Sequence, residues 1–202
     1  MVAKKPLHIA IVDNYDSFVF NIVHYLEAVA DAVKITVIKN DEIDESILQK
    51  ADALVLSPEP GIPSEAGDLL NIIDKYHKRK PILGICLGLQ ALVEYFGGKL
   101  INLSMPLHGI TTQLHKTAES KLWQTIEFPS PIGHYHSWAA SKENFPKSLE
   151  ITAENSEGQI MAIQHKILPI VALQFHPESI LTTQGKTMLR NWIKTIETTD
   201  GK

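Results

Sequence analysis

The chain has 202 residues, 44% of them hydrophobic and 21% charged, with 19 basic against 23 acidic side chains and a formal charge of −4. That balance suits a globular chain, not a disordered one, and a chain of this length buries about 70% of its unfolded surface without needing a disulfide or metal. Mild acidity without Lys/Arg clusters gives no electrostatic footprint for nucleic acid, and no apolar run approaches the ~20 residues of a membrane span. A single cysteine suits a reducing, cytoplasmic setting. The apolar stretch after Met1 to Pro6 is interrupted by Asp13 and Asn14, so no signal peptide is expected. One soluble domain is expected over 1–202.

In chain order, the first two-thirds alternates strands with helices. Residues 7–12 form a short apolar run ending in polar residues, as a buried strand does. Phe18, Ile22, Tyr25, Leu26 and Val29 then fall at helical spacing, with Asp16 or Ser17 placed to cap the helix. Strands are predicted over 35–38 and 53–56. The second stops at Ser57-Pro58-Glu59-Pro60-Gly61-Ile62-Pro63, whose prolines forbid ladder or helix. A helix over 66–78, a strand over 81–85 and a helix over 87–96, closed by Gly97-Gly98, follow. This alternation predicts an α/β fold with a doubly wound, mostly parallel sheet flanked by helices. Past Lys99 the texture changes to short strands over 109–114, 150–153, 159–164 and 170–175. They predict a small antiparallel addition at the sheet's edge or beside it, before a last helix over 182–196. Trp123, Phe128 and Trp192 read as core or interface anchors.

The most informative segment is Gly84-Ile85-Cys86-Leu87-Gly88, at the handover from strand to helix. It matches a nucleophile elbow, in which glycines let strand and helix close around a strained turn. The thiol would project from the carboxyl end of the sheet, where α/β folds place ligands, beside the N–H groups of a helix start. A lone cysteine near a sheet is more often packing, and both readings stand until a base is found.

Among nine histidines, His176 lies in Gln174-Phe175-His176-Pro177-Glu178, just after a strand. Pro177 biases His176 toward extended backbone, where positions i and i+2 share a side, so His176 and Glu178 are predicted to face one reaction space. Thiol chemistry needs an imidazole to take and return a proton, and an acceptor on its other nitrogen to fix the tautomer. Cys86, His176 and Glu178 therefore form a candidate triad. His134 and His136 have i, i+2 spacing but no accompanying cysteine cluster or carboxylate–His helix motif, so no metal site is assigned. Their segment reads equally as an interface strand or a pocket wall.

With these motifs in hand, the chain resembles the class I, triad-type glutamine amidotransferases. More narrowly, it resembles the glutaminase component of anthranilate synthase or aminodeoxychorismate synthase. Asp13-Asn14-Tyr15-Asp16-Ser17-Phe18, the cysteine elbow, Tyr135-His136-Ser137 and His176-Pro177-Glu178-Ser179-Ile180 carry the resemblance over nearly the whole chain. It implies that Cys86 attacks the side-chain amide of L-glutamine and forms a γ-glutamyl thioester, with His176 as acid/base and Glu178 as its orienter. It further implies an oxyanion site from the main-chain N–H groups of Glu59 and Leu87, in the Glu59-Pro60-Gly61 loop and at the helix start. Gln90 and the Ser137-Trp138 backbone would hold the α-amino and α-carboxylate groups. No cofactor is implied. The implied partner is a separate chorismate-using synthase subunit that receives the ammonia, since no synthase segment follows residue 202; a docked partner shelters ammonia from protonation in bulk water. The alternatives are service to aminodeoxychorismate synthase alone, a free-standing cysteine hydrolase and a catalytically weakened interaction subunit.

Four positions depart from the family. Glu59 stands where Ser-Pro-Gly-Pro-Gly has its first glycine. Either the loop is strained, at a cost of about 1–2 kcal/mol if φ must be positive, and rests inactive until a partner docks, or Glu59 turns to solvent and nothing is lost. Leu89, Ile110 and Trp138 replace the usual His, Lys and Leu and touch no triad member. The 13–18 segment is expected to cap the first helix, with partner contact as a second role.

Overall fold

Period-two alternation in the strands decides the layering of the molecule. The computed structural model describes residues 5–197. In chain order its main elements are Leu7–Asp13 (β1), Val19–Val29 (α1), Val33–Lys39 (β2), Glu45–Lys50 (α2), Ala53–Leu56 (β3), Leu69–Tyr76 (α3) and Ile82–Ile85 (β4). Leu87–Tyr95 (α4), Leu100–Lys116 (β5), Ser130–Ala140 (β6), Leu149–Asn155 (β7), Ile160–His165 (β8), Ile170–Leu173 (β9) and Gly185–Glu197 (α5) complete it. Ile9 and Ile11 of β1 pack into one apolar cluster with Val55, Leu83, Leu26, Met188 and Trp192. Ala10 and Val12 pack into the other with Leu54, Leu56, Leu69, Ile73 and Leu92. Both faces of these strands are therefore buried, and each takes a helix layer: α1 and α5 on one side, α2, α3 and α4 on the other. Trp192 and Trp123 are core residues, and Phe128 packs edge-on to Trp123 at 5.6 Å.

All nine strands form one sheet in the order β2-β1-β3-β4-β9-β8-β7-β5-β6. Pairing is parallel from β2 to β9 and antiparallel from β9 to β6. The predicted doubly wound α/β core is present, while the antiparallel part is a continuation of the main sheet. It is larger than expected: β5 runs 17 residues, and β6 runs 11 residues around the histidine pair, a segment for which a strand was one of two readings. Polar and histidine-rich, 130–140 lacks the alternation that marks a half-buried strand.

Several boundaries move. Helix α2 is absent from the sequence prediction; its one sequence signal is Asp44, whose side chain accepts the Ser46 N–H. The 66–78 prediction shortens to Leu69–Tyr76, preceded by a 3-10 turn at Pro63–Glu65, and the last helix begins at Gly185 instead of 182. The 13–18 segment does not cap α1. Phe18 occupies the cap position without a side-chain bond, and the Asp16 carboxylate accepts the Phe18 N–H, at 3.0 Å, ahead of the helix. Asp13 instead pairs with Lys39 at 2.6 Å, and Asn14 donates from its backbone N–H to Ser57 Oγ and from its amide to the Ser57 carbonyl, both at 2.8 Å. The segment thus staples the end of β1 to the loop after β3. The adjacent strands β1, β3, β4 and β9 all run parallel, so Asn14, Ser57, Cys86 and Gln174 gather along one carboxyl edge. Ligands of open α/β sheets bind at that edge.

Candidate active site

Cys86 links β4 to α4 with φ 52° and ψ −102°, a backbone that L-residues avoid, that costs of order 1–3 kcal/mol and that persists only where its surroundings enforce it. Here they do. A Cβ on Gly88 would lie 2.5 Å from the Leu56 carbonyl oxygen, and one on Gly84 would lie 2.6 Å from the Gly88 carbonyl carbon, so only glycines let β4 and α4 close this far. The Cys86 N–H is held by the Leu173 carbonyl at 2.7 Å. Leu87 opens α4, and first-turn N–H groups have no intrahelical acceptor.

His176 and Glu178 reach the same spot from a turn, not the extended segment their spacing predicted. The His176 carbonyl accepts the Ser179 N–H at 3.2 Å and the Thr182 hydroxyl at 2.7 Å. This turn is pressed against the start of α5, where a Cβ on Gly185 would fall 1.8 Å from the Pro177 carbonyl oxygen. Both side chains are almost fully buried, and His176 Nδ1 bonds Glu178 Oε1 at 2.6 Å. His176 Nε2 is buried without a hydrogen-bond partner among the described residues. Burial works against charge on His176, but interaction with the Cys86 sulfur and the Glu178 carboxylate outweighs it and raises its pKa well above 6.5. The rings of Tyr135 and Phe18 stand edge-on to the imidazole at 5.1 and 6.3 Å, walling it in.

A cavity of about 250 Å³ opens over the sulfur. Glu59, Pro60 and Gly61 line one rim, Ser137 and Trp138 of β6 another, and Cys86 and Gln90 also line it. Residues 106–108 of β5, Tyr135 and His136 complete the wall. Three of the expected site residues are not lining residues: Leu87, whose expected part is a backbone N–H, and the buried pair His176 and Glu178. Gln90 donates from Nε2 to the Trp138 carbonyl at 2.9 Å and to Gln174 Oε1 at 3.3 Å.

Glu59 has neither the backbone strain nor the solvent-turned carboxylate that its place in the loop suggested. Apart from glycines, the described residues with positive φ are Tyr15, Cys86, Thr125 and Asn144, so Glu59 carries no left-handed strain. Nor does its carboxylate lie free in solvent: Oε2 is buried without a hydrogen-bond partner, and burial, followed by the charges of Asp13, Asp16 and Glu65, pushes its pKa up to about 7. Asp16, beside the triad, is raised to about 6, chiefly by burial, with His176 pulling it down and Glu178 pushing it up.

Sequence reasoning missed Gln174, which is fully buried and donates from Nε2 to Cys86 Sγ at 3.6 Å. Its only signal was a polar residue closing an apolar strand two positions before His176. His134 and His136, read as an interface or a pocket wall, bond each other at 3.1 Å behind the cavity.

A strained cysteine, a buried imidazole–carboxylate pair and a substrate-sized cavity at the carboxyl edge of a doubly wound sheet are the parts of a thiol-dependent acyl-transfer enzyme. The family model for class-I glutamine amidotransferases matches residues 10–196, and the chain belongs to that family. It is 40% identical over 189 residues to the aminodeoxychorismate/anthranilate synthase component 2 of Bacillus subtilis, covering 93% of this chain and 96% of that protein. It is 41% identical over 192 residues to anthranilate synthase component 2 of Lactococcus lactis, covering 93% and 94%. The solved structure of a protein from Thermoplasma acidophilum, described as part of a GMP synthase, superposes with a TM-score of 0.86 at 28% identity, covering 98% of this chain and 97% of that one. No helix among the described residues is long and apolar enough to cross a membrane.

Proposed function

We propose that this chain is a single-domain, cytoplasmic glutaminase subunit that hydrolyses L-glutamine and passes the ammonia to a separate chorismate-using synthase, the complex being anthranilate synthase. The observation that carries the reading is the buried Cys86–His176–Glu178 set beneath a cavity lined by Gln90, Ser137 and Trp138. The names of the 40–41% identical relatives support the choice of acceptor.

In this mechanism the Cys86 sulfur attacks the side-chain carbonyl of glutamine, and negative charge develops on its oxygen near the Leu87 and Glu59 N–H groups. The tetrahedral intermediate collapses as protonated His176 gives its proton to the departing nitrogen, releasing ammonia and leaving a γ-glutamyl thioester. Neutral His176 then takes a proton from water, whose oxygen attacks the thioester; glutamate leaves, and sulfur and imidazolium are restored. Glu178 keeps Nδ1–H oriented throughout, so that Nε2 carries each proton. The raised pKa of His176 suits the first step, which needs the charged form.

Apolar side chains stand exposed near the cavity: Phe18 (packed on Tyr135 at 5.5 Å), Ile110, Met105 and Ile180. Such a patch beside a site that releases ammonia fits a docked synthase. Glutamine hydrolysis assayed with the synthase present should exceed that of the chain alone, and a turnover independent of any synthase would favour a free-standing hydrolase. Service to both anthranilate and aminodeoxychorismate synthases is a second reading, favoured by the double name of the Bacillus relative.

A further inference from the structure

The hydrogen bonds behind the cavity form one connected chain whose polarity is fixed from its middle. The Trp138 carbonyl is an acceptor only. His136 Nδ1 lies 2.9 Å from it and therefore carries the hydrogen. Burial holds His136 at a pKa of about 4 and His134 at about 3, so both rings are neutral at working pH. His136 Nε2 is then the acceptor of the His134 Nδ1–H at 3.1 Å, and His134 Nε2 accepts the Thr112 hydroxyl at 2.7 Å. On the other branch, the same carbonyl requires the amide nitrogen of Gln90 to face it, at 2.9 Å. The second hydrogen of that NH2 group requires Gln174 to present its carbonyl oxygen, at 3.3 Å. Only one orientation of Gln174 remains, with its own NH2 group on the Cys86 sulfur at 3.6 Å.

We propose that Gln174 is a further catalytic residue, an amide donor that holds the Cys86 sulfur for attack, and that His136, His134 and Thr112 are positioning residues that orient it through the Trp138 carbonyl and Gln90. The proposal rests on Cys86 being the nucleophile. Hydrogen bonds to sulfur strengthen as negative charge gathers there, so the donor favours the reactive form of the nucleophile before glutamine arrives. The chain also couples the two ends of the substrate site: Gln90, directed by the same carbonyl, keeps its own Oε1 for the substrate's α-ammonium.

The test reads Cys86 by alkylation with iodoacetamide, which needs no glutamine, alongside steady-state glutaminase kinetics of the full chain with its synthase. Gln174→Met preserves length and removes the donor. Its alkylation should slow about tenfold and kcat should fall about tenfold to a hundredfold, as for loss of a hydrogen bond to a charged group. Gln90→Met leaves Gln174 in place but unpinned, and alkylation should slow several-fold. His136→Leu removes the donor that directs the Trp138 carbonyl, so alkylation should slow, though less than in Gln90→Met, while KM for glutamine rises several-fold. Wild-type alkylation in both Gln174→Met and Gln90→Met would overturn the proposal, as would a rise in KM alone in Gln174→Met. A wild-type chain that alkylates at Cys86 in this graded pattern yet leaves glutamine intact would instead refute the glutaminase reading.

Discussion

Glu59 places an unpartnered carboxylate in the cavity where the oxyanion is to form, and its raised pKa makes the consequence a function of pH. Its ionised fraction rises from roughly a tenth at pH 6 to roughly nine-tenths at pH 8 for a pKa of about 7. A sphere of the cavity's 250 Å³ is about 8 Å across, and two negative charges that far apart repel by about 2 kcal/mol at an effective dielectric of ~20, or roughly 30-fold in rate. Glu59→Gln removes the charge and keeps the shape. Measured as kcat/KM from pH 6 to 8.5 in the complex with the synthase, the variant should nearly equal wild type at pH 6 and exceed it by about 15-fold at pH 8.5, where roughly 3% of Glu59 is still neutral. Glu59→Gly should behave likewise at the alkaline end. Stability should follow the same sign. A carboxyl raised from 4.5 to about 7 by folding penalises the native state increasingly as pH rises through that interval, and fully above it. After solvent screening at this partly exposed loop, the gain from Glu59→Gln is about 1–2 kcal/mol at pH 8 and nil at pH 4. A variant-to-wild-type activity ratio that stays constant with pH would refute the reasoning.

Glu178→Gln should lower kcat about a hundredfold or more with little change in KM, because the Nδ1 partner that fixes the tautomer is lost. With the carboxylate gone, the Cys86 sulfur alone opposes the effect of burial on His176, so its pKa falls and the alkaline limb of kcat should also move to lower pH. Gly185→Ala drives a Cβ into the Pro177 carbonyl; a loss of about 2–4 kcal/mol, read as a melting temperature lowered by about 5–10 °C, is expected. Ile180 is 89% exposed, so Ile180→Asp should change stability by no more than about 0.5 kcal/mol while weakening synthase binding at least about tenfold, as measured by calorimetric titration.

The parallel half of the fold and the cysteine elbow were legible because each rests on a local signal. Residues 53–56 and 82–85 are continuous apolar runs ended by prolines or glycine, and Gly84 and Gly88 mark the elbow directly. Strand β6 was legible only in part, as one of two readings of its middle, because its side chains serve the site: His134, His136 and Ser137 are buried or half-buried for reasons other than apolar packing. Helix α2 has only six residues, less than two full turns, too short for a periodic pattern to emerge. The His176–Glu178 pairing was found by an argument about extended backbone that the turn does not obey. What brings the two side chains together is the seating of Pro177 against Gly185, a contact beyond the reach of the i, i+2 spacing from which the pairing was argued. Gln174 and the buried Glu59 oxygen were invisible for the same reason, since a polar residue gains its meaning from neighbours distant in sequence.

A covalent intermediate at one sulfur is the most direct consequence of this chemistry. Glutamine mixed with the chain and its synthase, quenched in acid within the first turnovers and digested, should give a Cys86 peptide carrying a γ-glutamyl group, absent from Cys86→Ala, which should also release no ammonia. Ammonia release from glutamine by Cys86→Ala at the wild-type rate, with no adduct on the wild-type peptide, would contradict it.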